Sequence, residues 1–244
     1  MDYPGDMPTD ARPRLDLAMP VHNEGPSIER TLEEWHTALS PAIGLRFLIA
    51  EDGSTDDTKE VLRRLEKRLP MHLDIAAGRR GYGHALKAAL VQAETEYVLT
   101  CDSDGQIDPR DFWSVWAVRE QYDLIVGWRV RRADHWFRKL MSGSFKLYHR
   151  LLFGTGLHDP SCNLMLMRRE VAQRIVPRLG HLVEGFQWEL TARAIQAHLK
   201  IGEVRLNHRP RASGGSAVFQ PARVPGIAYR NVAGLLKVFL DKRS

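Results

Sequence analysis

Apolar positions in this chain fall into two alternating rhythms. Short runs with the length of buried strands occur at Leu15–Met19, Leu45–Ala50, Met71–Ala77, Glu96–Cys101 and Tyr122–Gly127. Between them, apolar residues recur at helical spacing. Ile28, Leu32, Trp35 and Leu39 follow Gly25-Pro26-Ser27, a helix start with Pro in its first turn. Val61, Leu62, Leu65 and Leu69 form a second apolar face, His84–Ala93 a third helix, and Phe112, Val115 and Trp116, with Arg119, a fourth. Pro20 is expected to stop the first strand, because proline cannot donate to a ladder. Strand and helix alternating in this way predict an α/β fold: a mostly parallel sheet with helices on both faces.

The second half is less regular. It predicts a basic amphipathic helix over Trp136–Phe153, a strand at Asn163–Met167, a helix over Glu184–Leu199 and a strand at Glu203–Leu206. A basic, Gly-rich loop spans His208–Ser216, and a last amphipathic helix covers Arg223–Leu240. The expected organisation is a loose tail over 1–13, one catalytic domain over 14–216, and a C-terminal amphipathic helix within 217–244.

Charge narrows the partners. The 244 residues carry a net charge of +5, with a pI near 9.4, which suits an anionic partner. Nucleic acid fits poorly, since acids gather at the strand ends and no recognition motif is present. Two cysteines, Cys101 and Cys162, give no disulfide framework and point to a reducing compartment. No apolar run reaches the ~20 residues of a membrane span, and Met1–Asp10 lacks the apolar core of a secretory signal. The expected location is the cytoplasm. Association with the inner face of a membrane, or with a membrane partner subunit, would be through the basic amphipathic helices; ordinary packing on the core is the alternative for both.

The candidate chemistry lies where strands end, at Pro20–Glu24, Glu51–Asp56 and Cys101–Gln106, and a parallel sheet brings such ends to one edge. Asp102 and Asp104 sit one residue apart with Gln106 beyond them. Left alone the carboxylates repel, and a hard divalent cation, Mg2+ or Mn2+, relieves this. A polar turn with an Asp cap is the alternative reading.

In order, Pro20-Val21-His22-Asn23-Glu24, Glu51-Asp52-Gly53-Ser54-Thr55-Asp56, Gly81-Tyr82-Gly83-His84-Ala85 and Asp102-Ser103-Asp104-Gly105-Gln106 resemble the motif set of family 2 glycosyltransferases, whose fold is the nucleotide-sugar-binding GT-A domain. Within that family the chain looks most like dolichyl- or polyprenyl-phosphate sugar synthases. Asp102-x-Asp104-x-Gln106 resembles their metal motif, Gly127-Trp128-Arg129 their phosphate-binding segment, and Arg211-Ala212-Ser213-Gly214-Gly215-Ser216 their Arg-x-x-Gly-x-Ser loop. It departs from them at Asp159-Pro160-Ser161-Cys162-Asn163-Leu164, where relatives carry Cys-Gly-Phe-Lys, and Met165 replaces the Lys. No run within the 244 residues matches the C-terminal membrane spans that many relatives carry.

The resemblance implies an inverting hexosyltransferase that takes a nucleotide-diphosphate sugar of GDP-mannose or UDP-glucose type as donor and a polyprenyl phosphate as acceptor. Pro20, His22, Glu24, Asp52, Arg79, Asp102 and Ser103 would bind the donor. Asp102, Asp104 and Gln106 would hold the metal, and Asp104 would also be catalytic. Arg129, Arg131, Arg211 and Ser216 would hold the acceptor phosphate. A phosphate is already an anion and needs no base, whereas a hydroxyl acceptor would need one; Asp159 and Glu189 are the candidates for that role. Two alternatives stay open: the same fold acting on a soluble hydroxyl acceptor, and a non-catalytic nucleotide-sugar-binding subunit.

Overall fold

A computed structural model describes residues 12–130, 136–182, 184–210 and 224–241. Seven strands form one sheet in the order β3-β2-β1-β4-β6-β5-β7. They are β1 (Arg14–Val21), β2 (Gly44–Glu51), β3 (Met71–Ile75), β4 (Tyr97–Thr100), β5 (Leu124–Arg129), β6 (Met165–Arg168) and β7 (Ile201–Leu206). The helices are α1 (Gly25–Leu39), α2 (Thr58–Leu65), α3 (Tyr82–Val91), α4 (Phe112–Trp116), α5 (Trp136–Phe153), α6 (Arg169–Ile175), α7 (Phe186–Gln196) and α8 (Val224–Leu240).

Sheet order follows from chain order and handedness. β1, β2 and β3 step outward in one direction, all parallel. The chain then returns past β1 to lay down β4, also parallel. Right-handed crossovers put α1 and α2 on one face and, because the return runs the other way, α3 on the opposite face. Accordingly α1 packs with α2, while α3 packs with β1, β2 and α6. The reversal between β2-side and β4-side growth makes the β1/β4 boundary a topological switch point, where an open α/β sheet leaves a crevice at its carboxyl edge.

The sheet is mostly parallel, as expected, and mixed only around β6, which runs antiparallel to both β4 and β5. One expectation is corrected. Pro20 does not stop β1, which continues to Val21 and pairs residue for residue with β2. Val21 O accepts from Asp52 N, so odd positions of β1 face β2 here, while Ala18 O accepts from Cys101 N on the other side. The nitrogen of Pro20 therefore faces the β4 side beyond the end of that strand, where no ladder bond is lost.

The main core is built on β1, β2 and β4, whose side chains include Leu15, Leu17, Phe47, Leu48 and Leu99, all fully buried. A satellite cluster under α7 and α8 joins Leu182, Trp188, Ala192, Leu235 and Val238, with Phe145 and Tyr148 of α5 against it. Fully buried Arg193 reaches Asp241 Oδ2 at 2.8 Å, and Gln196 Nε2 donates to Val238 O at 2.7 Å. The C-terminal helix thus packs on the core with one face. Tyr229, Val232, Leu236, Phe239 and Leu240 on the other stay exposed.

Candidate active site at the carboxyl edge of the sheet

The ends of β1 and β2 brace one another. Asn23, at φ 53, donates its N–H to Ser54 Oγ and accepts from Thr55 N on Oδ1, both at 2.9 Å. Glu24 N donates to Thr58 Oγ1 at 2.9 Å, and Glu24 Oε2 accepts from Ser27 Oγ at 2.7 Å. His22 Nδ1 lies 2.9 Å from Asp52 O. A carbonyl only accepts, so Nδ1 carries the proton there.

Asp52 is buried, and its carboxylate gathers the loop before α3. Oδ1 accepts from Arg80 N at 2.6 Å, and both oxygens accept from Gly81 N at 3.0 Å. Gly53 permits this approach. It sits at φ +67, and a Cβ there would lie 2.4 Å from Gly78 C and Arg79 N. The Arg79 side chain is exposed at the rim.

Asp102, Ser103 and Asp104 follow β4 directly. Ser103 and Asp104 are buried and Asp102 half-buried. Asp102 Oδ1 accepts from Tyr82 Oη at 2.8 Å, and that hydroxyl accepts from Gln187 Nε2 at 2.6 Å. Burial, then the Asp102 charge, push the Tyr82 phenol well above its ordinary pKa, so it stays a donor. The buried Cys101 thiol is pushed up by the same causes, burial first and then Asp102 and Asp104. Asp104 Oδ1 accepts from Gln106 N at 3.1 Å. Gln106 itself is fastened to the segment after β7: Nε2 donates to Arg209 O at 3.2 Å, and Gln106 O accepts from Arg209 N at 2.8 Å.

At the end of β5, Arg129 grips Asp159. Nε meets Oδ2 at 2.7 Å and Nη2 meets Oδ1 at 3.0 Å. Burial works against the guanidinium charge, but the Asp159 hydrogen bonds outweigh it and hold its pKa above the usual value, with Asp102 adding to the effect. The Asp102 charge thus reaches Arg129, so the β4 tip lies near the Arg129–Asp159 pair. Burial, opposed by Arg129, pushes the nearby Cys162 thiol up to about 12. An open cleft of about 550 Å³ is walled here by Trp128, Arg129, Lys146, His158, Asp159 and Trp188.

The proposed site residues divide accordingly. Asp102, Ser103 and Asp104 share the β4 end with Pro20, His22, Glu24 and Asp52 on the neighbouring strands. Arg129 and Asp159 face the cleft as a pair. Glu189 stands apart: it is fully buried, and its carboxylate accepts from Gly180 N, His181 N and Leu182 N at 2.9–3.2 Å. Arg131, Arg211 and Ser216 lie outside the described residues. Tyr82, Gln187, His158 and Glu203 were missed as site residues. Only Tyr82 carried a sequence signal, its place inside the Gly81–Gly83 motif.

The donor set fits a divalent cation that shares its coordination. Two carboxylates meet at the β4 tip, and carboxylate oxygens are the ligands a hard divalent cation takes. Among the described residues no group of three or more His, Cys, Asp or Glu could hold a metal by itself, so an ion here would need oxygens from a ligand, as Mg2+ commonly takes from phosphates.

An α/β sheet in this order, with an acidic pair at the switch-point edge, is a GT-A type domain. The family model for glycosyl transferase family 2 matches residues 16–176. The chain belongs to that family. It is 30% identical over 208 residues to the dodecaprenyl-phosphate galacturonate synthase of Rhizobium johnstonii, covering 83% of this chain and 61% of that one. It is 29% identical over 169 residues to the undecaprenyl-phosphate 4-deoxy-4-formamido-L-arabinose transferase of Pectobacterium carotovorum, covering 66% and 51%. The chain thus spans little more than half the length of these relatives. Among solved structures, the Mycobacterium tuberculosis glucosyl-3-phosphoglycerate synthase bound to Mg2+ and uridine diphosphate superposes with a TM-score of 0.71, at 17% identity, over 94% of this chain and 80% of that one. Among the described residues no helix is long and apolar enough to cross a membrane.

Proposed function

We propose that this protein transfers a sugar, with inversion, from a nucleotide diphosphate to the phosphate of a polyprenyl lipid at a membrane surface. The observation that carries the reading is the acidic pair Asp102 and Asp104 at the β4 tip, with the Asp102 charge reaching the neighbouring Arg129–Asp159 pair. The names of the related lipid-phosphate transferases agree with it. The braced ends of β1 and β2, with Asp52 holding the Arg80-Gly81 turn, would form the nucleoside side. Asp102 and Asp104 would hold a Mg2+ or Mn2+ ion, with the Gln106 side chain beside them. When bound, that ion would neutralise charge on the diphosphate as it leaves.

Neither candidate base stands ready to take a proton. Asp159 is locked to Arg129, and Glu189 is turned to main-chain N–H groups. This supports an acceptor that arrives already ionised. One of its phosphate oxygens attacks the anomeric carbon, the new C–O bond forms, and the bond to the nucleotide diphosphate breaks with its electron pair leaving on that diphosphate. The sugar could be a hexose of the GDP-mannose or UDP-glucose kind, or an acid sugar.

Incubation with radiolabelled GDP-mannose, UDP-glucose or UDP-galacturonate, a divalent metal and a short polyprenyl phosphate tests this. Label is expected in the organic phase with the wild type and absent with Asp104→Ala. Label only in water, or only on an added soluble hydroxyl compound, would overturn the reading.

A further inference from the structure

Beside the Arg129–Asp159 pair, a second carboxylate orients a second group. Glu203, on β7, accepts from His158 Nδ1 at 2.9 Å, and also from His158 N and Asp159 N at 2.8–3.0 Å. The imidazole lies flat on the Trp128 indole, with ring centroids 4.0 Å apart and planes 16° apart. Arg205 covers the same indole, 4.9 Å from its centroid. His158 is thus fixed in direction though its side chain is 55% exposed. A carboxylate only accepts, so Nδ1 bears a proton and Nε2 is turned away from Glu203.

His158 and Lys146 line the main cleft together. The same two residues line an adjoining groove of about 190 Å³, which runs between α5 and the 156–158 segment past Leu147 and Leu157. Leu147, on the α5 wall of this groove, is 57% exposed. Among the described residues Lys146 makes no ion pair, while Arg129 is engaged by Asp159. Arg150 adds a further cation to the groove wall. An exposed ammonium and an oriented imidazole where the cleft meets a groove walled in part by Leu147 and Leu157 suit one ligand chemistry: a phosphate monoester on a hydrocarbon chain.

We infer that Lys146 and His158, the latter positioned by Glu203, seat the acceptor's phosphate, and that its isoprenoid chain leaves along the groove beside Leu147 and Leu157. The inference rests on the proposed lipid-phosphate acceptor and names residues for it. Lys146 donates to one phosphate oxygen and His158 Nε2–H to another, and Glu203 balances the imidazolium.

Farnesyl phosphate, farnesol and inorganic phosphate serve as probes. Each is titrated into 15N-histidine-labelled protein, with the His158 imidazole signal identified by its loss in His158→Gln. Farnesyl phosphate should move that signal and bind at least about tenfold more tightly than either other probe. Lys146→Ala and His158→Gln should each weaken it about tenfold and leave GDP or UDP binding unchanged. Glu203→Gln should weaken it in the wild-type background and add nothing in the His158→Gln background. A wild type that ignores farnesyl phosphate removes the lipid-phosphate function. Binding that survives all three substitutions leaves that function standing and overturns this seat. Equal binding of inorganic phosphate overturns the groove as the path of the chain.

Discussion

The proposed nucleotide side and the proposed acceptor side of the site are built in opposite ways. On the nucleotide side, side chains hold main chain: Ser54 and Thr58 hold the turn after β1, and Asp52 holds Arg80-Gly81. On the acceptor side, side chains hold side chains: Arg129 with Asp159, His158 with Glu203, Trp128 between His158 and Arg205. A frame of backbone bonds is insensitive to most substitutions outside it and suits a ligand part that does not vary. A pocket drawn by charged side chains changes with each substitution and suits a part that does. The comparison predicts where damage separates and where it spreads.

The largest separation is expected from Asp104→Asn. The amide keeps the bond from Gln106 N and removes one charge from the acidic pair. Turnover should fall about a thousandfold, since an ion clamp of this kind is worth several kcal/mol, while farnesyl phosphate still binds on the acceptor side. Steady-state transfer assays with both ligands varied read this out. Loss of acceptor binding as well would mean the two sides are not separable.

The next effect concerns stability on the acceptor side. His149 of α5 is fully buried near Trp188 and Phe153, with ring centroids 5.5 and 5.0 Å away. Burial lowers its pKa from 6.5 to about 4. Above pH 6.5 the ring is neutral in both the native and unfolded chain. Below that, the unfolded chain takes up a proton that the native protein refuses, so stability falls until about pH 4. The loss is about 3 kcal/mol. Urea midpoints from pH 7 to 4 should show it, and His149→Phe should flatten that limb. Identical limbs in both proteins would show that another group drives acid unfolding.

On the nucleotide side, Gly53→Ala tests the backbone frame directly. A left-handed φ and a Cβ that meets Gly78 and Arg79 main chain should together destabilise the turn by about 2 kcal/mol. Donor KM should rise about tenfold or more and acceptor KM stay level, read from the same kinetic assay. An equal rise in both would deny that the frame serves only the nucleotide.

The same contrast explains what could be read from sequence. The nucleotide-side motifs are runs of neighbouring residues at strand ends, so periodicity and turn chemistry were enough to place Asp52, Asp102 and Asp104 along one edge. The apolar pattern of Asn163–Met167 announced a strand, but an apolar run has no direction, and β6 proved antiparallel. Pro20 broke a local rule that tertiary position lifted, because its nitrogen faces the open end beyond β4. Glu189 looked available for proton transfer only because its partners, three main-chain N–H groups at 180–182, have no side-chain signature. His158 and Glu203 stand 45 positions apart on a loop and a strand, and no spacing rule joins them.

The smallest effect sharpens the comparison most, because Tyr82 joins the two sides. It comes from the nucleotide-side loop, yet its hydroxyl lies between Asp102 and Gln187 of α7. Tyr82→Phe keeps the ring and removes both bonds. Gln187 Nε2 and Asp102 each lose a partner, and a lost hydrogen bond to a charged group is worth about 1.5–3 kcal/mol before relaxation. Water can reach half-buried Asp102, so the lower end is expected: about a tenfold fall in kcat with little change in folding midpoint. If the hydroxyl only orients Asp102, Gln187→Leu should cause a smaller fall in the same direction, and the double variant should match Tyr82→Phe alone. If instead the two losses add, Gln187 acts on the acceptor side independently, and the cleft is two sites that share a wall rather than one site with two faces.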